Sequence, residues 1–151
     1  MSNRYLVLLT FVLTASFEAF GLTYYSQGSG VPSNLSRWNT NRAGGGSTPA
    51  NFTSGDIFVI QNAHTISVAG QWTISGTGSG LIVENGGILV LTEHIVFDPT
   101  STFEMQDGSK CEINQTMDLR NSLLGGVENF SSNSTIEIKK NPVLSKPTGG
   151  F

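Results

Sequence analysis

Apolar and polar residues alternate on both sides of an Asn-Gly step in the stretch IVENGGILVL, residues 82–91. Taken alone, Asn85-Gly86 predicts a β-hairpin, because both residue types readily adopt the positive φ angles of a type I′ turn. The pattern recurs, however. An apolar residue followed by Gln or Glu and then by Asn or Asp occurs about every 22 residues, beginning at Ile60, Val83, Met105 and Val127.

Each repeat contains three short segments in which apolar and polar residues alternate. Segments of this kind, recurring in fixed phase, indicate β-strands wound around a triangular core, with each coil stacked on the previous one. We therefore predict an all-β fold, a parallel β-helix (β-solenoid) of about four coils over residues 56–140. The predicted inward stacks are Phe58, Leu81 and Phe103; Ile60, Val83, Met105 and Val127; and Ile66, Leu89 and Cys111. Further apolar residues repeat in the same phase: Val68, Leu91 and Ile113; Trp72, Ile95 and Met117; and Ile74, Phe97 and Leu119.

Asn or Asp recurs at one predicted corner between strands. These side chains should form a ladder that hydrogen-bonds corner backbone groups left unpaired by the strands. An antiparallel β-sandwich of successive hairpins is the alternative fold, but a sandwich has no need to keep three apolar segments in phase. The ladder positions are Asn62, Asn85, Asp107 and Asn129.

The regions outside the repeat have different compositions. Residues 1–21 read as a signal peptide with Arg4, an apolar run and a small-residue site, which predicts cleavage before Leu22. Residues 22–55 are rich in Gly, Ser and Asn and carry Trp38, so we expect an irregular cap over the first coil. Residues 141–151 read as an irregular tail that continues into a longer protein.

Charge and cysteine content narrow the classes of partner. The chain has 13% charged residues and a formal net charge of −3, with its Lys and Arg scattered, so nucleic acid is not an expected partner. Cys111 is the single cysteine, which excludes an internal disulfide. We expect it to be buried as a small apolar residue in its stack.

Candidate chemistry is sparse. His64 and His94 have no Cys, His or carboxylate neighbours at metal-ligand spacing, and a turn histidine such as His64 more often hydrogen-bonds locally. The repeat places Glu84, Gln106 and Glu128 in one column, with Asp107 beside it, which suggests weak calcium binding, but the known calcium repeat is missing and a solvated face is the preferred interpretation. We therefore assign no catalytic, cofactor or metal residues.

Several motifs resemble the N-terminal region of secreted surface proteins of Bacteroidota that leave the cell through the type IX secretion system. The motifs are Tyr24-Tyr25-Ser26, Trp38-Asn39, Gly55-Asp56 and Asn62-Ala63-His64-Thr65, the last with Ala where the family pattern has Gly. The resemblance implies a β-helix, export and a C-terminal sorting domain. The 151 residues carry no such domain, and the resemblance brings no catalytic residues.

The sequence thus predicts a secreted or cell-surface β-helical scaffold that contributes to adhesion or extracellular assembly and is not an enzyme. The alternative is the N-terminal part of a carbohydrate-active enzyme or a glycan-binding module. Expected partners are surface glycans, other extracellular proteins, or a further coil stacked on the C-terminal end. Hydroxyl groups suited to sugars occur at Thr65, Ser67, Thr73, Ser75 and Thr92.

Overall fold

The computed structural model describes residues 21–114 and 127–139. Three predictions lie outside these residues: the signal peptide up to residue 20, the repeat positions Met117 and Leu119, and the tail 141–151. The described residues hold one 3₁₀ turn, Leu35–Arg37, and twelve strands. The strands are β1 Thr23–Ser26, β2 Trp38–Asn39, β3 Ile57–Ile60, β4 Thr65–Val68, β5 Trp72–Ile74, β6 Gly80–Val83, β7 Ile88–Leu91, β8 Ile95–Phe97, β9 Thr102–Met105, β10 Lys110–Ile113, β11 Val127–Phe130 and β12 Thr135–Ile138.

The strands form three sheets that run along one solenoid, and the predicted parallel β-helix is confirmed. The first sheet has the order β11-β9-β6-β3-β1-β2, the second β12-β10-β7-β4, and the third β5-β8. Strands one coil apart pair in parallel, so that Val83 lies between Ile60 and Met105. The strands flanking Asn85-Gly86, β6 and β7, belong to different sheets, which rules out a hairpin there.

The inward residues form the continuous stacks that the repeat predicts. Phe58, Leu81 and Phe103 are at most 1% exposed, and Cys111 is fully buried above Leu89. Burial, followed by the charge of Glu112, raises the pKa of the Cys111 thiol to about 12, which keeps it protonated and unreactive. Each buried aliphatic or aromatic side chain stabilises the fold by about 1.5–3 kcal/mol relative to an exposed one.

Residues 22–55 cover the N-terminal end of the solenoid. Strand β1 adds a rung in parallel to β3, and β2 pairs with β1 in the antiparallel direction. Trp38 of β2 is fully buried against Phe58 and Trp72, with ring centroids 5.2 and 5.7 Å away. Its indole N–H donates to the Pro32 carbonyl at 2.9 Å, so Trp38 is buried without leaving its polar group unpaired.

At the Asn corner the backbone follows the same stacking rule as the strands. The N–H groups of Ala63, Gly86 and Gly108 each donate to the corner carbonyl one coil further on, at 3.1–3.2 Å. The three residues have φ angles of 62°, 73° and 75°. An added Cβ on Gly86 would lie 2.8 Å from the Asn62 Oδ1, so the Asn side chain of one coil rests on the glycine of the next. Backbone bonds therefore satisfy the corner without needing the Asn amides.

The predicted register of the fourth copy is wrong. Phe130, and not Val127, pairs with Met105, which places Asn129 opposite Glu104 and outside the corner ladder. The third coil is longer than the first two: Met105 and Phe130 are 130 − 105 = 25 positions apart. The extra residues precede β11, and local apolar alternation alone could not locate them. Ile136 and Ile138 then align with Cys111 and Ile113.

The inward and outward positions of β7 should respond differently to the same charge. Leu89→Lys buries an ammonium group within a stack and should cost at least about 4 kcal/mol, a large share of the roughly 5–15 kcal/mol by which ordinary domains are stable. Val90→Lys lies half-buried on the outer surface, opposite Glu112, and should change stability little. Urea denaturation followed by circular dichroism measures both, and equal tolerance would contradict the assigned faces.

Among the described residues, Ala63 alone has a positive φ without being glycine, so the backbone of its corner is strained. Ala63→Gly should raise the free energy of unfolding by about 1 kcal/mol, because glycine adopts this conformation without a Cβ clash. Gly86→Ala is the matched control and should destabilise the protein. Thermal melts of both variants test the corner; a destabilising Ala63→Gly would refute this interpretation.

Candidate functional site

A hydrogen-bonded pair, the buried Ser26 and the half-buried His64, joins the N-terminal cap to the first coil. The Ser26 Oγ is 2.8 Å from the His64 Nδ1, and the Gly28 N–H also donates to that nitrogen, at 3.3 Å. Because Nδ1 accepts a backbone N–H, the imidazole proton is assigned to Nε2. The Ser26 hydroxyl in turn accepts the Gln61 N–H at 3.0 Å, and the Gln61 side chain donates to the Ser26 carbonyl at 2.7 Å.

This arrangement suits a structural joint better than a catalytic dyad. Ser26 is fully buried, and its hydroxyl is occupied on both sides by Gln61 and His64. A nucleophilic serine must be accessible to its substrate. The histidine that takes the serine proton is normally held in position by a third group. The His64 side chain thus makes structural hydrogen bonds, but to Ser26 and Gly28, which are 38 and 36 positions away in the cap, and not within its own turn as predicted. His94 lies on the third side of the coil, where its backbone carbonyl accepts the Trp72 N–H at 3.0 Å.

A cation–aromatic cluster covers the outer surface of the first sheet. The Arg42 guanidinium lies 4.4 Å from the centre of the Tyr25 ring and forms an ion pair with Glu84. One of its nitrogens is 3.0 Å from the Glu84 Oε2, and this pairing raises the pKa of Arg42 above its ordinary value. Arg42 thereby fastens the cap loop across two coils. Tyr25 has one ring face occupied, so it offers a sugar at most its other face.

An alternating ion-pair network lies on the outer surface of β10 and β12 in the second sheet. Lys110 contacts Glu112 at 2.9 Å and Glu137 at 2.5 Å, and Lys139 contacts Glu112 at 2.6 Å. The carboxylates raise the pKa of Lys110 to about 12, while Lys110 and then Lys139 lower the pKa of Glu112. The network lies at the surface, with Lys139 exposed and the other three groups half-buried, so it fixes side-chain positions more than it stabilises the fold.

An open groove of about 560 Å³ lies beside the last described rung of the first sheet. The Gln106 amide donates to the Glu104 carboxylate at 3.0 Å, and the Asn133 amide donates to Asp107 at 3.2 Å. Carboxylates and amides that already interact with each other can exchange these bonds for hydroxyl groups of a ligand. The polar residues lining the groove are Glu104, Gln106, Asp107, Glu128, Asn129 and Ser131.

The acidic column considered for calcium does not form. Glu128 aligns with Phe103, not with Gln106, and Glu84 is paired with Arg42. Within residues 21–114 and 127–139, no group of three His, Cys, Asp or Glu side chains is placed to hold a metal ion. The hydroxyl residues Thr65, Ser67, Thr73, Ser75 and Thr92 are all half-buried and spread over different strands and turns, so they share no single surface.

Comparisons with known proteins do not assign this chain to a family, so its class is defined by its fold alone. The chain matched no protein-family model, no curated protein and no solved structure. Sheet order and register define it as a capped parallel β-solenoid. A search of the described part of the chain found no helix long and apolar enough to cross a membrane.

The Ser26–His64 joint should contribute measurably to stability. Ser26→Ala removes the acceptor of the buried Gln61 N–H and a donor to His64, and leaving such groups unpaired costs about 1–3 kcal/mol. Ser33→Ala changes an exposed cap serine and serves as the matched control. Urea denaturation monitored by tryptophan fluorescence should separate the two variants. Equal stabilities would mean that the joint is not a structural tie.

Proposed function

We propose that the protein is a secreted or cell-surface β-helical scaffold that contributes to adhesion or extracellular assembly, without catalysis of its own. The observation that supports this proposal most is that the described polar residues bond mainly to other residues of the solenoid and its cap. Ser26, His64, Arg42 and Glu84 tie the cap to the coils, and the charges of the second sheet pair with each other. These residues serve the solenoid itself, as expected for a structural element.

The leader of residues 1–21 supports an extracellular location, and so does the composition. The chain has 13% charged residues and its single cysteine is buried, so it does not depend on a reducing compartment to keep that thiol unpaired. Nucleic acid is not among the proposed partners, because the net charge is −3 and the described Arg42, Lys110 and Lys139 are already paired with carboxylates. Export by the type IX system remains part of this proposal, on the motif resemblance alone.

The C-terminal edge of the described coils is the proposed surface for assembly. Phe130, Ile136 and Ile138 occupy inward positions but are 42–46% exposed, because no described rung covers them. A further coil with apolar residues in the same register would bury these side chains and pair the free strand edges. Glu128 lies in line with the inward Phe103 and would penalise stacking by an unmatched strand.

Glycan binding is the second candidate, and the groove beside β9 and β11 favours it. Its amide and carboxylate groups match the alternating donors and acceptors of sugar hydroxyls. Phe130 also lines the groove and offers an exposed ring for stacking. The corresponding function is a glycan-binding module, alone or as the front part of a carbohydrate-active enzyme.

A glycan array and a depolymerisation assay on the exported protein distinguish these functions. The scaffold proposal expects adhesion or assembly to be lost on gene deletion, with no turnover of any polysaccharide. If glycans bind in the groove, Gln106→Ala should weaken affinity roughly tenfold by removing one or two hydrogen bonds, whereas Thr73→Ala on the third sheet should not. Turnover would refute the scaffold proposal, and absence of both binding and turnover would refute the glycan candidate.

A further inference from the structure

Asp56 is a buried carboxylate whose described side-chain partner is a neutral backbone N–H and not a cation. It begins the first coil directly before β3 and is 7% exposed. Its Oδ1 accepts the backbone N–H of Leu22 at 2.8 Å. Among the ion pairs of the described residues, none involves Asp56. A buried carboxylate without a cation is costly, so its one described side-chain contact calls for a physical reason.

Leu22 is anchored by its backbone and not by its side chain. Its carbonyl accepts the Ile57 N–H at 2.9 Å, which starts the pairing of the first rung, while its side chain is 54% exposed. The site therefore recognises the backbone nitrogen at position 22 and tolerates the side chain there. The Asp56 charge also contributes, after burial, to raising the pKa of the neighbouring Tyr24 hydroxyl.

Position 21 is tightly confined against the residue before Asp56. A Cβ added to Gly21 would lie 1.8 Å from the Gly55 carbonyl oxygen, which leaves no room for a side chain on the chain as it enters the fold. The predicted cleavage site lies at this same point, between Gly21 and Leu22. The leader is thus expected to end at Gly21, directly before Leu22, the residue at which ordered coil pairing begins.

We propose that Asp56 is the receptor for the α-amino group of Leu22 in the processed protein. Signal peptidase hydrolyses the Gly21–Leu22 peptide bond: water gives its hydroxyl to the Gly21 carbonyl, which departs as a carboxylate, and the Leu22 nitrogen becomes an ammonium group. The ammonium replaces the single amide proton with three donors and a positive charge, next to the buried carboxylate. The neutral hydrogen bond of the precursor becomes a charge-assisted pair.

Processing then completes the cap. Before cleavage, Asp56 is buried against a neutral amide and Gly21 is held against Gly55. After cleavage, the carboxylate gains its counter-ion and the confined residue is gone. The precursor is therefore the less stable form, which suits a chain that must cross a membrane unfolded. This inference rests on the export proposed above, but the pairing itself can be measured without any secretion assay.

The test compares two chains, each released from a cleavable fusion partner, one starting at Leu22 and the other at Gly21. The chain that starts at Leu22 should melt roughly 3–6 °C higher, because only its ammonium reaches Asp56. Both are repeated with Asp56→Asn, which keeps an acceptor oxygen but removes the charge. In that background the difference between the two starts should largely vanish.

Acetylation of the Leu22 amine provides an independent check, since it keeps an N–H donor and removes the charge. The acetylated protein should melt like the Gly21 form. Equal melting of the two starts, or a difference that persists with Asp56→Asn, would overturn the receptor assignment. Mass spectrometry of the exported protein should give Leu22 as the first residue, and another start would overturn the processing step while leaving the adhesion and glycan tests unaffected.

Discussion

The axial pairing of parallel strands, in step from one coil to the next, is the interaction on which the rest of this structure depends. Because Ile60, Val83 and Met105 are held directly over one another, each inward residue is sealed by the residues of adjacent coils. A stack of this kind needs neither disulfide nor metal, since every strand except the terminal ones satisfies its backbone groups on both sides. The same bonds continue through the corner, where Gly86 donates to Gly108, so the turn is part of the stack and not an interruption of it.

A structure held together along one axis is vulnerable at its ends, and the two described ends are treated differently. At the N-terminal end, Trp38 covers the aromatic core while Ser26, His64 and Arg42 tie the cap to the coils below. At the other end, Phe130 packs edge-on against Phe103 but stays 43% exposed. The first end is closed by specific hydrogen bonds, while at the second the described rung keeps apolar side chains exposed.

The sequence predicted the parts of the fold that repeat and failed where the repeat changes. Inward residues such as Leu81 and Leu89 recur with a period that only stacking explains, so the fold class and the burial of Cys111 could be derived. The register of the fourth copy could not, because Val127-Glu128-Asn129 imitates the earlier motif while three-dimensional pairing selects Phe130. The Ser26–His64 joint was missed for another reason: its partners are 38 positions apart, and nothing periodic connects them.

Function is harder to derive than fold, because in a solenoid the inward side chains determine the fold and the outward side chains are the ones available for binding. Inward positions must match their neighbours in volume and polarity, which leaves a periodic record in the sequence. Outward positions carry no such constraint: Ser67, Val90 and Glu112 occupy successive rungs of one column without any common chemistry. A binding surface on such a fold is assembled from residues of different coils, so it becomes visible only once the register is known. Some outward or cap residues do have a structural role, as in the contacts of Arg42 with Glu84 and of Leu22 with Asp56. Each of these contacts joins the cap to a coil, so the local sequence gives no signal of it.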